Sequence, residues 1–459
     1  MKKNNLASYR HVFFIGIGGI SMSGLAEVLF NRGLTISGSD QSASDITNHL
    51  KSLGANIYIG HDSDHIHKDI DLVVYTAAVK ADNPELIKAK ALNIDIMERA
   101  TLLGYIMADY AQSIAVAGTH GKTTTTSMLA HILMAGHLDP TISVGAILKG
   151  IHGNFKIGHS DYFVTEACEY NNSFHKFFPT IGLVLNIEED HLDFFKDIHA
   201  IRDSFYQFMQ NIDSDGYLII NDAIDDIQQL TANLTCEVIS VGSLSSSTYS
   251  YDNVSYNKLG HPTFDLYEQG KFVDSIHLHV TGSHNIENAL AAIATGRCLN
   301  IGLEQIKQGL LDFSGANRRF EYIGTYNGIT IIDDYAHHPT EIRKTIEAAR
   351  HIDINRLYIV FQPHTYSRTK SLYNDFVEAL KLADGVIITD IYAAREKDPG
   401  DIHASMIVES LSNFDVDIVY IDDFDEICTF IQKNCVPNDM LITMGAGNVN
   451  IIGHMLLNK

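Results

Sequence analysis

Short apolar runs alternate with segments of helical periodicity along most of the chain. Near the start, this pattern predicts a buried strand at His11–Ile15, a helix at Ser21–Arg32 and a second strand at Leu34–Gly38. Short apolar runs without in/out alternation are typical of strands that are covered on both faces, as in a parallel sheet. Strands that alternate with helices therefore predict an α/β fold in which helices flank parallel sheets.

The alternation falls into three blocks, each about the size of one domain. We predict domains at residues 1–110, 111–314 and 315–459. The first and last blocks have the doubly wound pattern of a Rossmann-like sheet, whereas the central block carries a glycine-containing loop between a strand and a helix. Residues 243–271, inside the central block, are polar with weak periodicity and predict a β-meander.

The composition narrows the class of protein. The 459 residues are 45% hydrophobic and 19% charged, an ordinary balance for a globular protein, and the net charge is −23. So acidic a surface repels phosphate backbones, which argues against nucleic-acid binding. The five cysteines are scattered without a C-x-x-C pair, which indicates a reducing compartment and no zinc motif. Since no run of about 18 apolar residues occurs, we expect a cytoplasmic protein without membrane insertion. The sequence leaves open whether it is a monomer or a homodimer.

The sharpest motif is GTHGKTT at Gly118–Thr124, which the pattern places in a loop before a helix at Thr125–Gly136. Backbone N–H groups of such a loop point at a phosphate, and the helix N-terminus adds a partial positive charge. Lys122 would reach the β- and γ-phosphates of ATP, and the Thr123 hydroxyl would ligate Mg²⁺. The standard pattern has glycine where Val116 stands, so the alternative is a glycine turn that only packs. The residues predicted to bind the triphosphate are Gly118, Thr119, His120, Gly121, Lys122, Thr123 and Thr124.

Two further polar residues follow predicted strands of the central block. Glu166 ends the strand Tyr162–Glu166, and His191 follows the strand Ile181–Asn186. Ligands bind outside the carboxyl ends of parallel strands, so both side chains would lie near the loop if the strands are neighbours. A carboxylate suits Mg²⁺, but from the residues alone a structural role for Glu166 is equally plausible. A lone histidine such as His191 is more often structural.

The first block contains a second glycine-rich turn, at Gly16–Gly24, between a strand and a helix. Asp40 lies about where a dinucleotide-binding fold places the acid that binds ribose, which would make the chain an oxidoreductase. A lone glycine fingerprint is weak, and a turn that only packs the strand against the helix is a further alternative. An oxidoreductase would also leave the motif at Gly118–Thr124 unexplained.

Five motifs, in this order, resemble those of the Mur ligases: GTHGKTTT, TEACEYNNSF, NIEEDHLDFF, GSHNIENALAA and DDYAHHPTEI. The resemblance implies a Rossmann-like N-terminal domain that binds a UDP-sugar, a central P-loop ATPase domain and a Rossmann-like C-terminal domain that closes over the active site. It implies ATP- and Mg²⁺-dependent ligation of an amine to a carboxylate through an acyl phosphate, with Mn²⁺ able to replace Mg²⁺. The first domain resembles that of the alanine-adding branch, so the implied substrates are UDP-N-acetylmuramate and L-alanine, for peptidoglycan precursor synthesis.

The resemblance also implies roles for individual residues. The implied metal ligands are Thr123, Glu166 and His191. The implied nucleotide contacts outside the loop are His284, Asn288 and Arg319. The residues implied for the UDP-sugar are Gly18, Gly19, Ser21, Asp40 and Arg99, the last with a surface arginine as the alternative. The residues implied near the reacting groups are Lys122, His191, His337, His364 and Arg368; which histidine acts as general base is left open.

The chain departs from the family pattern at two places. Cys168–Asn171 stands where many relatives have Asp-Glu-Ser-Asp, which argues against a second metal ion at that loop, and Thr365 stands where many have arginine. Other branches of the family are alternatives, namely a ligase that joins a tripeptide to the same UDP-sugar and a folylpolyglutamate synthetase. A non-catalytic nucleotide-binding switch is an alternative of another class.

Overall fold

Three α/β sheets follow one another along the chain. The computed structural model describes residues 6–76, 78–151, 153–192, 194–394 and 396–458. The predicted three-domain α/β fold is confirmed. The predicted boundaries at 110/111 and 314/315 fall in connections between the sheets, and the domain bounds themselves stay a prediction.

The first sheet has five strands: β1 (His11–Ile15), β2 (Thr35–Asp40), β3 (Asn56–Ile59), β4 (Leu72–Tyr75) and β5 (Asp95–Glu98). They are parallel, in the order β3-β2-β1-β4-β5. The accompanying helices are α1 (Ile20–Asn31), α2 (Asp45–Leu53), α3 (Pro84–Ala91) and α4 (Arg99–Met107). The strand order reverses between β1 and β4, and in open sheets of this kind ligands bind in the crevice at that point.

The second sheet has ten strands: β6 (Gln112–Ala117), β7 (Thr141–Leu148), β8 (Gly153–Lys156), β9 (Tyr162–Glu166), β10 (Ile181–Val184), β11 (Tyr217–Asn221), β12 (Glu237–Gly242), β13 (Tyr249–Tyr256), β14 (Pro262–Glu268) and β15 (Lys271–His277). Strand β6 lies between β9 and β10 and is parallel to both, so the loops after these three strands meet at one edge. Strands β13 to β15 are antiparallel neighbours, which confirms the predicted β-meander. The helices are α5 (Lys122–Ala135), α6 (Ile198–Gln210), α7 (Ile227–Thr231), α8 (His284–Cys298) and α9 (Leu303–Asp312).

The third sheet has six strands: β16 (Glu321–Tyr326), β17 (Ile329–Asp334), β18 (Leu357–Phe361), β19 (Gly385–Ile388), β20 (Asp417–Tyr420) and β21 (Met440–Met444). All are parallel except β16, in the order β16-β17-β21-β18-β19-β20. The helices are α10 (Pro339–Ala349), α11 (Tyr366–Ser371), α12 (Tyr373–Leu380), α13 (Ser405–Leu411), α14 (Phe424–Asn434) and α15 (Ile451–Leu457). Among the described residues, no helix is both long and apolar enough to cross a bilayer.

The helix after β6 begins earlier than predicted. It starts at Lys122, whereas the apolar pattern placed Lys122–Thr124 in the loop and the helix start at Thr125. The run of threonines has low helix propensity, which favoured a loop. Gly121 adopts a left-handed conformation with a φ of 83° and ends the loop, so the threonines form the first helical turns. Since first-turn N–H groups have no partner within a helix, they remain available to a ligand.

Helix α9 packs against α5, the helix that begins at the loop, with almost no side chain between the two backbones. A Cβ added at Gly309 of α9 would lie only 2.5 Å from the Cα of Ile132 in α5. Glycine at this position therefore sets how closely α9 approaches α5 and where α5 sits under the site.

We expect Gly309→Ala to lower the free energy of unfolding by about 1–3 kcal/mol, because the added methyl group must push the helices apart. Alanine is intrinsically a better helix former than glycine by about 1 kcal/mol. Any loss of stability in the variant must therefore come from the steric clash of the added methyl group with α5. Urea denaturation measures the effect, and Gln305→Ala, exposed on the same helix, is the control. A Gly309→Ala variant as stable as the wild type would show that the helices separate freely.

Candidate active site

The loop after β6 needs glycine at both of its ends. Gly118 has a φ of 147° and Gly121 a φ of 83°, values that other residues rarely adopt. A Cβ at Gly121 would also lie 2.6 Å from the Asn288 Oδ1 atom of α8. A side chain at either position would therefore distort the loop.

The side chain of Asn186, just after β10, clamps the same loop. Its Oδ1 accepts a hydrogen bond of 2.7 Å from the backbone N–H of His120, and its Nδ2 donates to the carbonyl of His120 at 3.1 Å. The backbone N–H of Thr119 donates to the Asn186 carbonyl at 3.2 Å. One residue thus fixes the middle of the loop, so its shape is preorganised before any ligand binds.

Lys122 folds back over the loop. Its Nζ donates to the carbonyl of Gly118 at 2.5 Å, to the carbonyl of Thr119 at 3.1 Å and to Glu169 Oε2 at 2.9 Å. Burial alone would lower the pKa of Lys122, but the Glu169 carboxylate raises it to about 12. The ammonium group therefore stays charged at neutral pH beside the position predicted for the phosphates.

The carboxylate that pairs with Lys122 also reaches His191. Glu169 Oε1 lies 3.6 Å from His191 Nε2, and the same nitrogen lies 3.7 Å from Asp190 Oδ2. The backbone of His191 is in the left-handed region, with a φ of 53°. This sharp turn places the imidazole between two carboxylates, at the edge of the sheet where the loop begins.

The series of contacts continues across to the third domain. Asp190 Oδ1 accepts a hydrogen bond of 2.9 Å from Arg368 Nη2, and Arg368 Nη1 lies 3.1 Å from His364 Nδ1. Although Asp190 is buried, the Arg368 guanidinium holds its pKa well below the usual range. The ring of His337 meets that of His364 edge-on, with 5.8 Å between centroids. All five residues predicted near the reacting groups therefore lie in one series of contacts.

Oxygen donors suited to Mg²⁺ lie beside the loop. Strand β9 is paired to β6, with Val116 opposite Glu166, so the adjacency on which the metal prediction depended is confirmed. The backbone N–H of Gly145 donates to Glu166 Oε1 at 2.5 Å and orients that carboxylate. Thr123, buried in the first turn of α5, supplies a hydroxyl. A fixed carboxylate and a hydroxyl fit a hard cation. Asp193, in the motif that contains His191, lies outside the described residues.

A cavity of about 690 Å³ opens beside the loop, between the second and third domains. Thr124, His284, Asn288 and Arg319 all line it, so part of the loop and the three predicted nucleotide contacts outside the loop meet at one cavity. Burial lowers the pKa of His284 to about 3, and its Nδ1 has no hydrogen-bond partner among the described residues. A cavity of this volume fits a small-molecule ligand, and a neutral imidazole with an unsatisfied ring nitrogen can bond to one.

His120 ties the loop to the third domain. Its Nδ1 lies 3.1 Å from Glu341 Oε1, and its Nε2 lies 3.5 Å from Glu188 Oε2. Glu341 stands in the first turn of α10, where it also accepts hydrogen bonds from the backbone N–H groups of His337 and His338. Burial alone would lower the pKa of His120, but the carboxylates of Glu341 and Glu188 raise it to about 9. The loop is therefore held electrostatically to the domain predicted to close over it.

The residues predicted for the UDP-sugar meet at the carboxyl ends of the first sheet. The backbone N–H of Gly18 donates to Asp40 Oδ2 at 2.8 Å, so Asp40 braces the turn that contains Gly19. Arg99 Nη1 donates to Ser21 Oγ at 2.8 Å. Burial lowers the pKa of Arg99. The half-buried guanidinium of Arg99 therefore lies beside the turn, and its part in binding the UDP-sugar stays a prediction.

Four residues that hold this arrangement together were not predicted: Glu169, Asn186, Asp190 and Glu341. Asn186 directly follows a buried strand, and Glu341 stands at the third helical position after His338 in a capping-box spacing, so local signals for these two exist. Each of the four also has a partner that is remote in sequence, and nothing in the local pattern names that partner.

Family comparison agrees with this geometry. Three family models match consecutive parts of the chain: "Mur ligase family, catalytic domain" at 11–111, "Mur ligase middle domain" at 116–296 and "Mur ligase, glutamate ligase domain" at 318–447. The UDP-N-acetylmuramate--L-alanine ligase of Lachnospira eligens is 51% identical over 448 residues, which cover 97% of this chain and 98% of that relative. The chain belongs to the Mur ligase family.

Solved structures place this Mur ligase among full-length relatives. The crystal structure of the UDP-N-acetylmuramate-alanine ligase of Thermotoga maritima matches with a TM-score of 0.80 at 30% identity, over 98% of each chain. A murein peptide ligase from Psychrobacter arcticus matches with a TM-score of 0.68 at 25% identity, also over 98% of each chain. The match to all three domains excludes an oxidoreductase built on the first domain alone.

The pairing of His120 predicts a pH-dependent stability for this Mur ligase. Because its pKa of about 9 in the folded state lies above the unfolded value of about 6.5, the bound proton stabilises the fold. That contribution, on the order of 3 kcal/mol, is complete below pH 6.5 and is lost as the pH rises through 9. We expect urea denaturation in chelator-treated buffer to show a steeper loss of stability above neutral pH for the wild type than for His120→Gln.

The exposed histidine variant His159→Gln is the control and should keep the wild-type pH dependence. Parallel curves for the wild type and His120→Gln between pH 6.5 and 10 would contradict the assignment of this proton.

Proposed function

We propose that this Mur ligase joins L-alanine to the carboxylate of UDP-N-acetylmuramate, with cleavage of ATP to ADP and phosphate, as a cytoplasmic step of peptidoglycan precursor synthesis. The observation that carries the proposal is the series of contacts that runs from Lys122 through Glu169, His191 and Asp190 to Arg368. It joins the phosphate loop of one domain to the basic side chains of another at a single place. The names of the relatives support the choice of substrates.

Activation of the carboxylate comes first, because a free carboxylate does not react with an amine at neutral pH. The γ-phosphoryl group of ATP passes to a carboxylate oxygen, which turns phosphate into the leaving group. Negative charge on the phosphoryl oxygens must be neutralised in this step. Lys122 is the cation for that task, since Glu169 keeps it protonated, and the free N–H groups at the start of α5 bind the phosphates.

Thr123, Glu166 and His191 would hold Mg²⁺, or Mn²⁺ in its place. The bound ion supplies charge neutralisation for the triphosphate. The chain's own part is orientation: the Gly145 N–H fixes the Glu166 carboxylate, and the turn at His191 presents its ring toward the same edge of the sheet.

The second step needs an unprotonated amine and an acceptor for its proton. The nitrogen of L-alanine attacks the acyl carbon, the C–N bond forms and phosphate leaves. Burial lowers the pKa of His337 to about 4, so its ring is neutral. Its Nδ1 lies 2.9 Å from the Tyr335 carbonyl, to which it donates, so Nε2 carries the lone pair. With so low a pKa His337 is a weak base, so its Nε2 is equipped to accept a hydrogen bond from the attacking amine and orient it, while the departing phosphate takes the proton.

Water must be kept away from the acyl phosphate, which would otherwise hydrolyse. Two ion pairs cross from the third domain to the second at this place, Arg368 to Asp190 and Glu341 to His120. Both pairs are largely buried, so breaking them would leave charges unpaired in a low-dielectric environment. They are the contacts that hold the closed arrangement during turnover.

The substrate assignment predicts a requirement for three substrates together. We expect phosphate release from ATP only when both UDP-N-acetylmuramate and an amine are present, with L-alanine preferred over glycine, L-serine and the tripeptide L-alanyl-γ-D-glutamyl-meso-diaminopimelate. A continuous phosphate assay measures this. Preference for the tripeptide would assign the chain to the recycling branch, and release that needs neither partner would remove the ligase proposal.

The role of Lys122 predicts that Lys122→Ala lowers ADP formation by at least about 100–1,000-fold, because one preorganised charge at the phosphoryl group is lost. The variant leaves the buried Glu169 carboxylate unpaired, so Lys122→Ala/Glu169→Gln is tested beside it, with circular dichroism to verify folding. Lys271→Ala, an exposed lysine of β15, is the control and should keep full activity. Wild-type turnover in a folded Lys122→Ala variant would refute the nucleotide assignment.

A further inference from the structure

A second group of ligand-type side chains lies where the second and third domains meet, apart from the predicted magnesium ligands. We call His120, Glu188 and His338 the interdomain cluster. One potential ligand atom from each residue lies within 4.8 Å of the other two. His120 and Glu188 belong to the second domain, and His338 immediately precedes α10 of the third. None of the three was predicted as a metal ligand.

The ring of His120 is set up as a ligand. Its Nδ1 is 3.1 Å from Glu341 Oε1, to which it donates. Its Nε2 points toward Glu188, yet it is buried and has no hydrogen-bond partner among the described residues. The side chain as a whole is 8% exposed. A buried ring nitrogen without a partner is costly, and a histidine whose far nitrogen donates to a carboxylate is the arrangement that metal ligands adopt.

In the ring of His338, too, one nitrogen donates a hydrogen bond and the other is a potential ligand. Its Nε2 lies 2.9 Å from the carbonyl of Glu189, to which it donates, so the lone pair is on Nδ1. That Nδ1 accepts a hydrogen bond of 3.3 Å from the backbone N–H of Thr340, which caps α10 and which a bound metal ion would replace. His338 is 5% exposed, and its ring centroid is 4.6 Å from that of His120. In both rings one nitrogen is anchored, Nδ1 of His120 and Nε2 of His338, which leaves the other nitrogen as the potential ligand; on His120 a metal ion would displace the proton from it.

Glu188 supplies the third donor and the negative charge. The Thr340 hydroxyl donates to Glu188 Oε2 at 2.7 Å, which orients the carboxylate toward the two rings. Two imidazoles and one carboxylate are the ligand set of open tetrahedral zinc sites. Zn–N and Zn–O bonds of about 2.0–2.2 Å put such ligand atoms about 3.3–3.6 Å apart, so the cluster needs to contract by about 1 Å.

We propose that the interdomain cluster binds Zn²⁺, or a first-row transition ion of similar preference, and that the ion clamps the phosphate loop to the third domain. Imidazole nitrogens favour such ions over Mg²⁺, which prefers six oxygen ligands. Millimolar Mg²⁺ at the predicted catalytic site would therefore not displace it. The bound ion takes the place of the proton that His120 otherwise carries.

The clamp has a consequence for turnover. Nucleotide exchange requires the second and third domains to separate, and a metal bridge with ligands from both domains opposes that motion. Zn²⁺ should therefore inhibit turnover, and an excess of Mg²⁺ should not relieve the inhibition. The cysteine spacing held no sign of this site, because its ligands are two histidines and a glutamate, and these come from three separate segments of the chain.

The test measures Zn²⁺ binding to the full-length chain by competition with a fluorescent zinc chelator, without nucleotide and with Mg²⁺ in excess. We expect one tight equivalent in the wild type, weakened at least about 10–100-fold in Glu188→Gln and in His338→Gln, since even loss of an outer hydrogen bond to a ligand costs that much. Co²⁺ bound in place of Zn²⁺ should show the intense visible absorption of a tetrahedral site without a thiolate charge-transfer band.

Two control variants decide where the ion binds. Glu166→Gln removes a predicted magnesium ligand and His159→Gln an exposed histidine beside Asp139; both should bind Zn²⁺ like the wild type. Loss of binding in Glu166→Gln, unchanged affinity in Glu188→Gln and His338→Gln, or a thiolate band from Co²⁺ would each overturn the proposal. Circular dichroism checks that each variant folds. If one variant does not fold, the remaining variants, including His120→Asn, still show whether the interdomain cluster binds Zn²⁺.

The clamp itself is tested by small-angle scattering. Zn²⁺ should reduce the radius of gyration of the wild-type chain, or hold it at its compact value when urea below the unfolding midpoint is added, and should do neither in Glu188→Gln. Equal dimensions of the two proteins with and without Zn²⁺ under both conditions would refute the clamp. These measurements use no substrate, so their outcome is separate from that of the ligase proposal.

Discussion

The turn from β6 into α5 is the constraint on which the rest of the site depends. Gly121 must take a left-handed conformation directly against Asn288, and the amide of Asn186 must bond the loop on both sides of His120. This leaves the first-turn N–H groups of α5 pointing into the crevice between domains. Every other functional side chain is placed relative to that fixed turn, because the strands on either side of β6 end at the same edge.

The cations between the second and third domains form ion pairs with carboxylates. With a net charge of −23, an anionic substrate is attracted only where cations are concentrated, and three cations between the second and third domains are each held by a carboxylate: Lys122 by Glu169, Arg368 by Asp190 and His120 by Glu341. Buried pairs of this kind add little net stability, since desolvation offsets much of their attraction. Their value lies in position, because two of the three connect different domains and exist only when those domains are together.

Site residues whose role depends on their neighbours in sequence could be predicted, whereas residues whose partners are remote in sequence could not. Gly118–Thr124 is a contiguous motif whose function depends on local backbone shape, so its place between a strand and a helix could be deduced. Glu166 could be proposed from its position at a strand end, but its proximity to the loop required β9 to pair with β6. Asn186 and Asp190 could not be assigned, since their roles exist only toward partners brought close by the fold.

The sequence by itself determined the α/β class, the three-domain order, the phosphate loop and the family, because periodicity and contiguous motifs are local properties that survive in the unfolded chain. The tertiary structure alone decided which charges pair, that Arg99 is half-buried beside Ser21, and that His120, Glu188 and His338 converge at a domain boundary. These depend on strand order and on the docking of one domain against another. Strand order and domain docking result from many weak contacts across the whole molecule, so no single segment of the sequence encodes them.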